Sequence, residues 1–220
     1  MTGALSFYRT SIGKKAVMAV TGVILFGFVV GHMIGNLSIY AGREAINSYA
    51  AFLKSTGELL WVARGVLLLS VILHIVSAVQ LTVENRASRP GRYAFQKTIQ
   101  ASFASRTMRW GGLMLFFFII YHLGHFTAGA VPGTGTHSPT DVYQNVINGF
   151  SYPLVALFYI LAMIALGMHL YHGAWSMFQT LGLNSNRFNT GLRRFATLAA
   201  AALMLGNISI PVAVLTGFLK

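Results

Sequence analysis

Six of the seven histidines in this 220-residue chain lie inside long apolar stretches, where an ionisable side chain is costly. They are His32, His74, the pair His122 and His125, and the pair His169 and His172. His137 sits in a polar connection and reads as a solvated residue. An imidazole buried in hydrocarbon needs a partner in the bundle interior, either a polar group on a neighbouring helix or a metal. Cysteine is absent, which removes disulfides, thiolate-held iron–sulfur clusters and thiol nucleophiles and leaves histidine as the main metal ligand. Around His32 the run G-F-V-V-G-H-M-I-G-N-L at 27–37 places Gly27, Gly31 and Gly35 four apart. One stripe of that helix therefore has no side chains, and a second helix or a flat cofactor can approach it closely.

The elements that position these imidazoles are membrane spans. Hydrophobic residues make up 55% of the chain and charged residues only 9%, against roughly 25% charged in a soluble domain. Five apolar segments, at about 16–40, 60–83, 109–130, 152–179 and 195–218, reach the ~20 residues that cross ~30 Å of hydrocarbon. In lipid each segment must satisfy its own backbone polar groups, so each is a helix. The expected fold is all-α, a single transmembrane domain over 1–220. Four helices form a bundle around the histidines, and the fifth, with Asn207, Ser209 and Pro211 but no histidine, packs outside it. The first segment follows Lys14 and Lys15 as a signal sequence would, but it is too long and no A-x-A site follows, so it reads as a retained span.

Two connections carry helical periodicity. Ala45, Ile46, Tyr49, Phe52 and Leu53 predict an interfacial helix over about 44–58. Val142, Tyr143, Val146, Ile147 and Phe150 predict a shorter one over about 141–150, after a Pro-Gly-Thr-Gly turn at 132–135. The net charge of +12 lies in connections between apolar runs and is no nucleic-acid footprint. Twelve of the sixteen Lys and Arg residues fall on one side of the expected topology. Positive charge marks the cytoplasmic face, so the N-terminus is expected inside and the C-terminus outside. The basic connection at 84–108 suits a docked partner or anionic lipid.

At 1.5 Å per residue, His32 and His122 lie ~24 and ~20 Å from the cytoplasmic ends of their helices, and His74 and His169 ~14 and ~15 Å. Two tiers result, one joining the first and third spans and one the second and fourth. Facing imidazoles at matched depth are what bis-histidine haem requires, and filling both axial positions suits electron transfer rather than oxygen binding. Isolated polar contacts between helices are the plainer reading, and they leave the matched depths unexplained. A proton-relay transporter also uses buried histidines, but none of Glu44, Glu58, Glu84 and Asp141 lies mid-membrane.

The chain resembles the five-helix, di-haem cytochrome b membrane subunits of bacterial succinate dehydrogenase and fumarate reductase. The likeness rests on S-I-G-K-K at 11–15, G-H-M-I-G-N-L at 31–37, I-N-S-Y-A-A-F-L at 46–53, I-I-Y-H-L at 119–123 and H-L-Y-H-G-A-W-S-M-F-Q-T-L-G at 169–182, and covers nearly the whole chain. It implies two haems b, the distal held by His32 and His122 and the proximal by His74 and His169. His125 and His172, one turn away, are the alternates, for ligation or for a hydrogen bond to a propionate or quinone. It further implies flavoprotein and iron–sulfur partners on the cytoplasmic face of a bacterial inner membrane, a quinone substrate (menaquinone), and possible assembly of the complex into higher oligomers. Succinate chemistry would belong to the flavoprotein. A proton donor for quinone is sought at Glu58, then Glu44, and propionate partners at Arg64, Arg9, Lys14 and Lys15, where interfacial carboxylates and positive-inside charges are the plainer roles. Trp175 is expected to anchor at the interface or to pack against the inner haem. A di-haem subunit of another quinone-linked complex, of hydrogenase, formate dehydrogenase or nitrate reductase type, is the alternative.

Overall fold

The computed structural model describes residues 2–88, 91, 101–131 and 135–220. Arg89, Arg92 and Lys97, and positions 132–134 of the expected turn, lie outside the described residues. Those residues form helices α1 (Thr2–Arg9), α2 (Ser11–Leu37), α3 (Arg43–Ser55), α4 (Glu58–Ala87), α5 (Phe103–His122), α6 (Val142–Phe150), α7 (Pro153–Thr180) and α8 (Asn189–Leu215). A 3-10 turn at Ser38–Ala41 extends α2, and a π turn at Leu123–Thr127 extends α5. Five helices, α2, α4, α5, α7 and α8, are long and apolar enough to cross a membrane. This is the expected all-α, five-span architecture, with the termini on opposite faces.

Boundaries move where caps decide them. The first span starts at Ser11, not near 16, because the Thr10 side chain accepts from Gly13 N at 3.0 Å. The third starts at Phe103, not 109, behind a Ser102 cap, and its regular α part ends at His122. Pro153 occupies the first turn of α7, where a missing N–H costs nothing. The fifth span runs from Asn189 rather than 195. Thr2–Arg9 form α1 ahead of the first span, and one further expectation is corrected: Glu58, expected at the end of the interfacial helix, opens α4.

The bundle has a definite order. α4 packs along α2, α2 touches α7, and α7 packs along α5; α8 covers α7 and α2. α7 and α8 approach closely at Gly167, where a methyl group would come within 2.9 Å of the Met204 sulfur, and both helices carry buried alanines, Ala156 and Ala162 on one and Ala196 and Ala200 on the other. Without a hydrophobic drive between helices in lipid, such close approach is what holds them together. In the order α4–α2–α7–α5, which no extended α4–α5 contact closes among the described residues, the diagonals are α2 with α5 and α4 with α7. The histidines lie on those diagonals.

A polar cap joins α3 and α6 on the C-terminal face. Asn47 Nδ2 donates to Asp141 Oδ1 at 3.0 Å, and Tyr143 N donates to Asn47 Oδ1 at 3.0 Å. Arg43 pairs with Asp141 at 3.5 Å and donates to Gln144. On the opposite face Lys14 is buried, paired with Glu84 and donating to Arg9 O at 3.1 Å, while Tyr8 donates to Gln80 Oε1 at 2.9 Å. Lys14, one of the residues considered for a propionate, thus ties α1, α2 and α4 together.

Candidate functional site

The bundle interior holds two imidazole couples. The His32 and His122 ring centroids stand 5.7 Å apart, and those of His74 and His169 6.3 Å. Along the helices, His32 and His122 lie ~32 and ~29 Å from the N-terminal-face ends of α2 and α5, whereas His74 and His169 lie ~20 and ~17 Å from those of α4 and α7. Each couple therefore spans a diagonal, one tier above the other.

The lower couple is partly oriented. His74 Nδ1 lies 3.1 Å from Met18 O and 3.1 Å from Thr21 Oγ1, so its N–H is directed at the α2 backbone and Nε2 keeps its lone pair. That is the arrangement in which a second partner fixes the tautomer of a ligating histidine. Gly22 leaves room beside it, since a methyl group there would meet His74 Cε1 at 3.6 Å. His169 Nδ1 is buried with no hydrogen-bond partner in the protein, an orphan of the kind a bound group relieves.

The upper couple is enclosed by aromatics. Phe28 stacks on His32 at 5.3 Å, and Phe118, Phe126 and Tyr159 ring His122 within 6 Å. Tyr159, which sequence reading missed, is buried and places its hydroxyl 3.0 Å from His125 Nδ1 and 3.4 Å from His122 Nδ1. A signal was available: it lies ten residues outward of His169, a polar group at the depth of the upper tier.

His125 does not face the interior beside His122, as simple α-helical spacing implied. The wider π turn that begins at Leu123 swings it toward α6. Its ring lies against Gly149, where a methyl group would come within 2.7 Å of Nε2, and it stacks on Phe126 at 4.0 Å. His172 is half-buried on α7, and among the described residues no histidine of another helix faces it as His32 faces His122 or His74 faces His169. Glu44 and Glu58 are exposed and form no ion pair or hydrogen bond through their carboxylates among the described residues. Arg64 is exposed and stacks on Trp61 at 4.9 Å; Arg9 and Lys15 are exposed on the N-terminal face. Trp175 carries Arg193 over its ring at 4.2 Å. Gly35 receives the Tyr49 ring, while Gly27 and Gly31 face open space.

The couples fit an iron porphyrin. Two metal–nitrogen bonds of about 2 Å plus the two ring half-widths put the centroids of axial imidazoles roughly 6 Å apart, as both couples are. No third His, Asp or Glu joins either couple among the described residues, so equatorial ligands would come from a macrocycle.

Fold and site together define a polytopic, all-α membrane protein with two stacked bis-imidazole positions. Residues 84–208 match the family model described as succinate dehydrogenase/fumarate reductase transmembrane subunit, and the chain belongs to that family. It is 25% identical over 201 residues to the succinate dehydrogenase cytochrome b558 subunit of Bacillus subtilis (strain 168), covering 90% of this chain and 91% of that one. No solved structure matches.

Proposed function

We propose that this chain is the di-haem cytochrome b anchor of a succinate:quinone oxidoreductase, carrying electrons between an iron–sulfur subunit and membrane quinone. The observation that carries this reading is the pair of imidazole couples, one above the other, on the two diagonals of the bundle. His32 and His122 would hold a distal haem and His74 and His169 a proximal one. When bound, haem b would supply a one-electron centre at each level.

The chain's own contribution is placement and environment. Met18 O and Thr21 orient His74, and the aromatic wall of Phe118, Phe126 and Tyr159 excludes water from His122. The N-terminal face is cytoplasmic and seats the flavoprotein and iron–sulfur subunits; the membrane is the bacterial inner membrane. Glu58 and Glu44, exposed on the outer side, are the proton donors for quinone (menaquinone), and Arg64, Arg9 and Lys15 the candidate propionate partners. Expression of the assembled complex tests the reading. A reduced-minus-oxidised spectrum should show b-type absorption, with two haems per flavin by pyridine haemochrome and total-flavin assays that count covalently and non-covalently bound flavin together. A complex with no haem, or a chain that copurifies without a flavin-bearing subunit, would sink it.

A further inference from the structure

The hydroxyl of Tyr159 is shared by two histidines, and proton counting assigns every hydrogen in the group. A neutral imidazole that ligates through Nε2 carries its proton on Nδ1. If His122 is such a ligand, its Nδ1–H can only donate, and the acceptor present is Tyr159 Oη at 3.4 Å. The single hydroxyl proton is then free to go to His125 Nδ1 at 3.0 Å, the shorter of the two contacts. His125 in turn carries its own proton on Nε2, the side facing Gly149. Beyond it a cavity of about 10 Å³, room for about one water, is lined by His125, His137, Gly135 and Asn145 among others. The chain of donors therefore runs one way, from His122 through Tyr159 to His125.

Tyr159 and His125 are both tightly enclosed. Tyr159 is 5% and His125 4% exposed, and the Tyr159 ring is wedged against Phe150 at 4.9 Å and Phe118 at 5.1 Å. We infer that Tyr159 is a positioning residue for the distal haem: it fixes the His122 tautomer and, backed by His125, raises the basicity of that ligand. This rests on the reading of His122 as an axial ligand. A histidine whose Nδ1–H is hydrogen-bonded donates more electron density to the metal and favours the oxidised state, so the contact lowers the distal potential. Acceptance by Tyr159 strengthens when its own O–H is engaged, which gives His125 its part.

Redox titration of the purified holo-complex, followed optically and by low-temperature EPR, decides the matter. In Tyr159→Phe both haems should remain, with the distal potential raised by about tenfold in the redox equilibrium, ~59 mV for one electron, and the proximal haem unmoved. The distal low-spin EPR signal should shift with it. His125→Ala, which removes the acceptor behind the hydroxyl, should move the same haem the same way by less; it also decides the question if Tyr159→Phe does not assemble. Unchanged distal potentials in the variants that assemble, or equal shifts of both haems, would overturn the inference while leaving the ligand assignment in place. Retention of both haems in His122→Ala would instead overturn that assignment.

Discussion

Each histidine of the two couples stands beside a different neighbour, and single substitutions exploit that. Replacing His74 by Ala leaves His169 with no axial counterpart in its tier while His32 and His122 still face each other at 5.7 Å. His74→Ala is therefore expected to lose one haem of two, the proximal, and His32→Ala the distal; haem per flavin should fall by half in each. Loss of both, or of neither, would break the two-tier assignment. His125→Ala is expected to keep two haems, because its ring is stacked on Phe126 and pressed on Gly149 rather than turned to His32. The couples were legible in sequence because depth along a span is simple arithmetic once its ends are known. Tyr159 was not, since its role depends on a neighbour 34 residues away and on a turn of irregular width. The place of Lys14 was hidden for a related reason: its charge satisfies the positive-inside rule, but its partner Glu84 is 70 residues distant.

At the scale of elements, glycine and one carboxylate set how the helices meet. Helix α1 folds back on α2 so tightly that a methyl group on Gly13 would lie 2.0 Å from Phe7 O, a backbone atom that no side-chain rotation can move. Gly13→Ala should release α1 without disturbing the histidine couples. Limited proteolysis is expected to remove the N-terminal segment several-fold faster, with haem content unchanged. On the other face, the Asn47 amide holds the Asp141 carboxyl below its usual 3.8, helped by Gln144 N–H and by Arg43, against the opposing pull of burial. A carboxyl depressed in the folded state stabilises the fold above its ordinary value and loses that stabilisation as pH falls through the lowered one. The α3–α6 cap should hold from neutrality to about pH 4 and loosen below it. Hydrogen exchange of the α6 amides should report the opening, and Asp141→Ala should leave that exchange fast at every pH. The spans themselves were readable because lipid forces each to satisfy its own backbone. The caps at Thr10 and Ser102 and the π turn moved their ends by several residues, because local hydrogen bonds rather than hydropathy fix where a helix starts and stops.

For the whole molecule, the distribution of cations is what the proposed orientation, and with it the proposed docking face for soluble subunits, rests on. On the N-terminal face Arg9, Lys15, Arg86, Arg106, Arg109, Arg187, Arg193 and Arg194 are exposed, and Lys14 is buried there. On the C-terminal face Arg43 is tied to Asp141 and Gln144, Lys54 donates to Pro139 O, and Arg64 lies over Trp61. The asymmetry is one of number rather than of engagement, since Arg193 on the N-terminal face is likewise held, over Trp175 and by Asn189. Basic connections near span ends are retained on the cytoplasmic side during insertion. Alkaline phosphatase joined after Lys220 should therefore be active, and green fluorescent protein at the same place dark, while a fluorescent fusion within 84–108 should be bright. The opposite pattern would turn the molecule over. It would put the His74–His169 couple nearest the periplasm, away from an iron–sulfur partner in the cytoplasm, and the order of electron carriers proposed for this chain would be reversed.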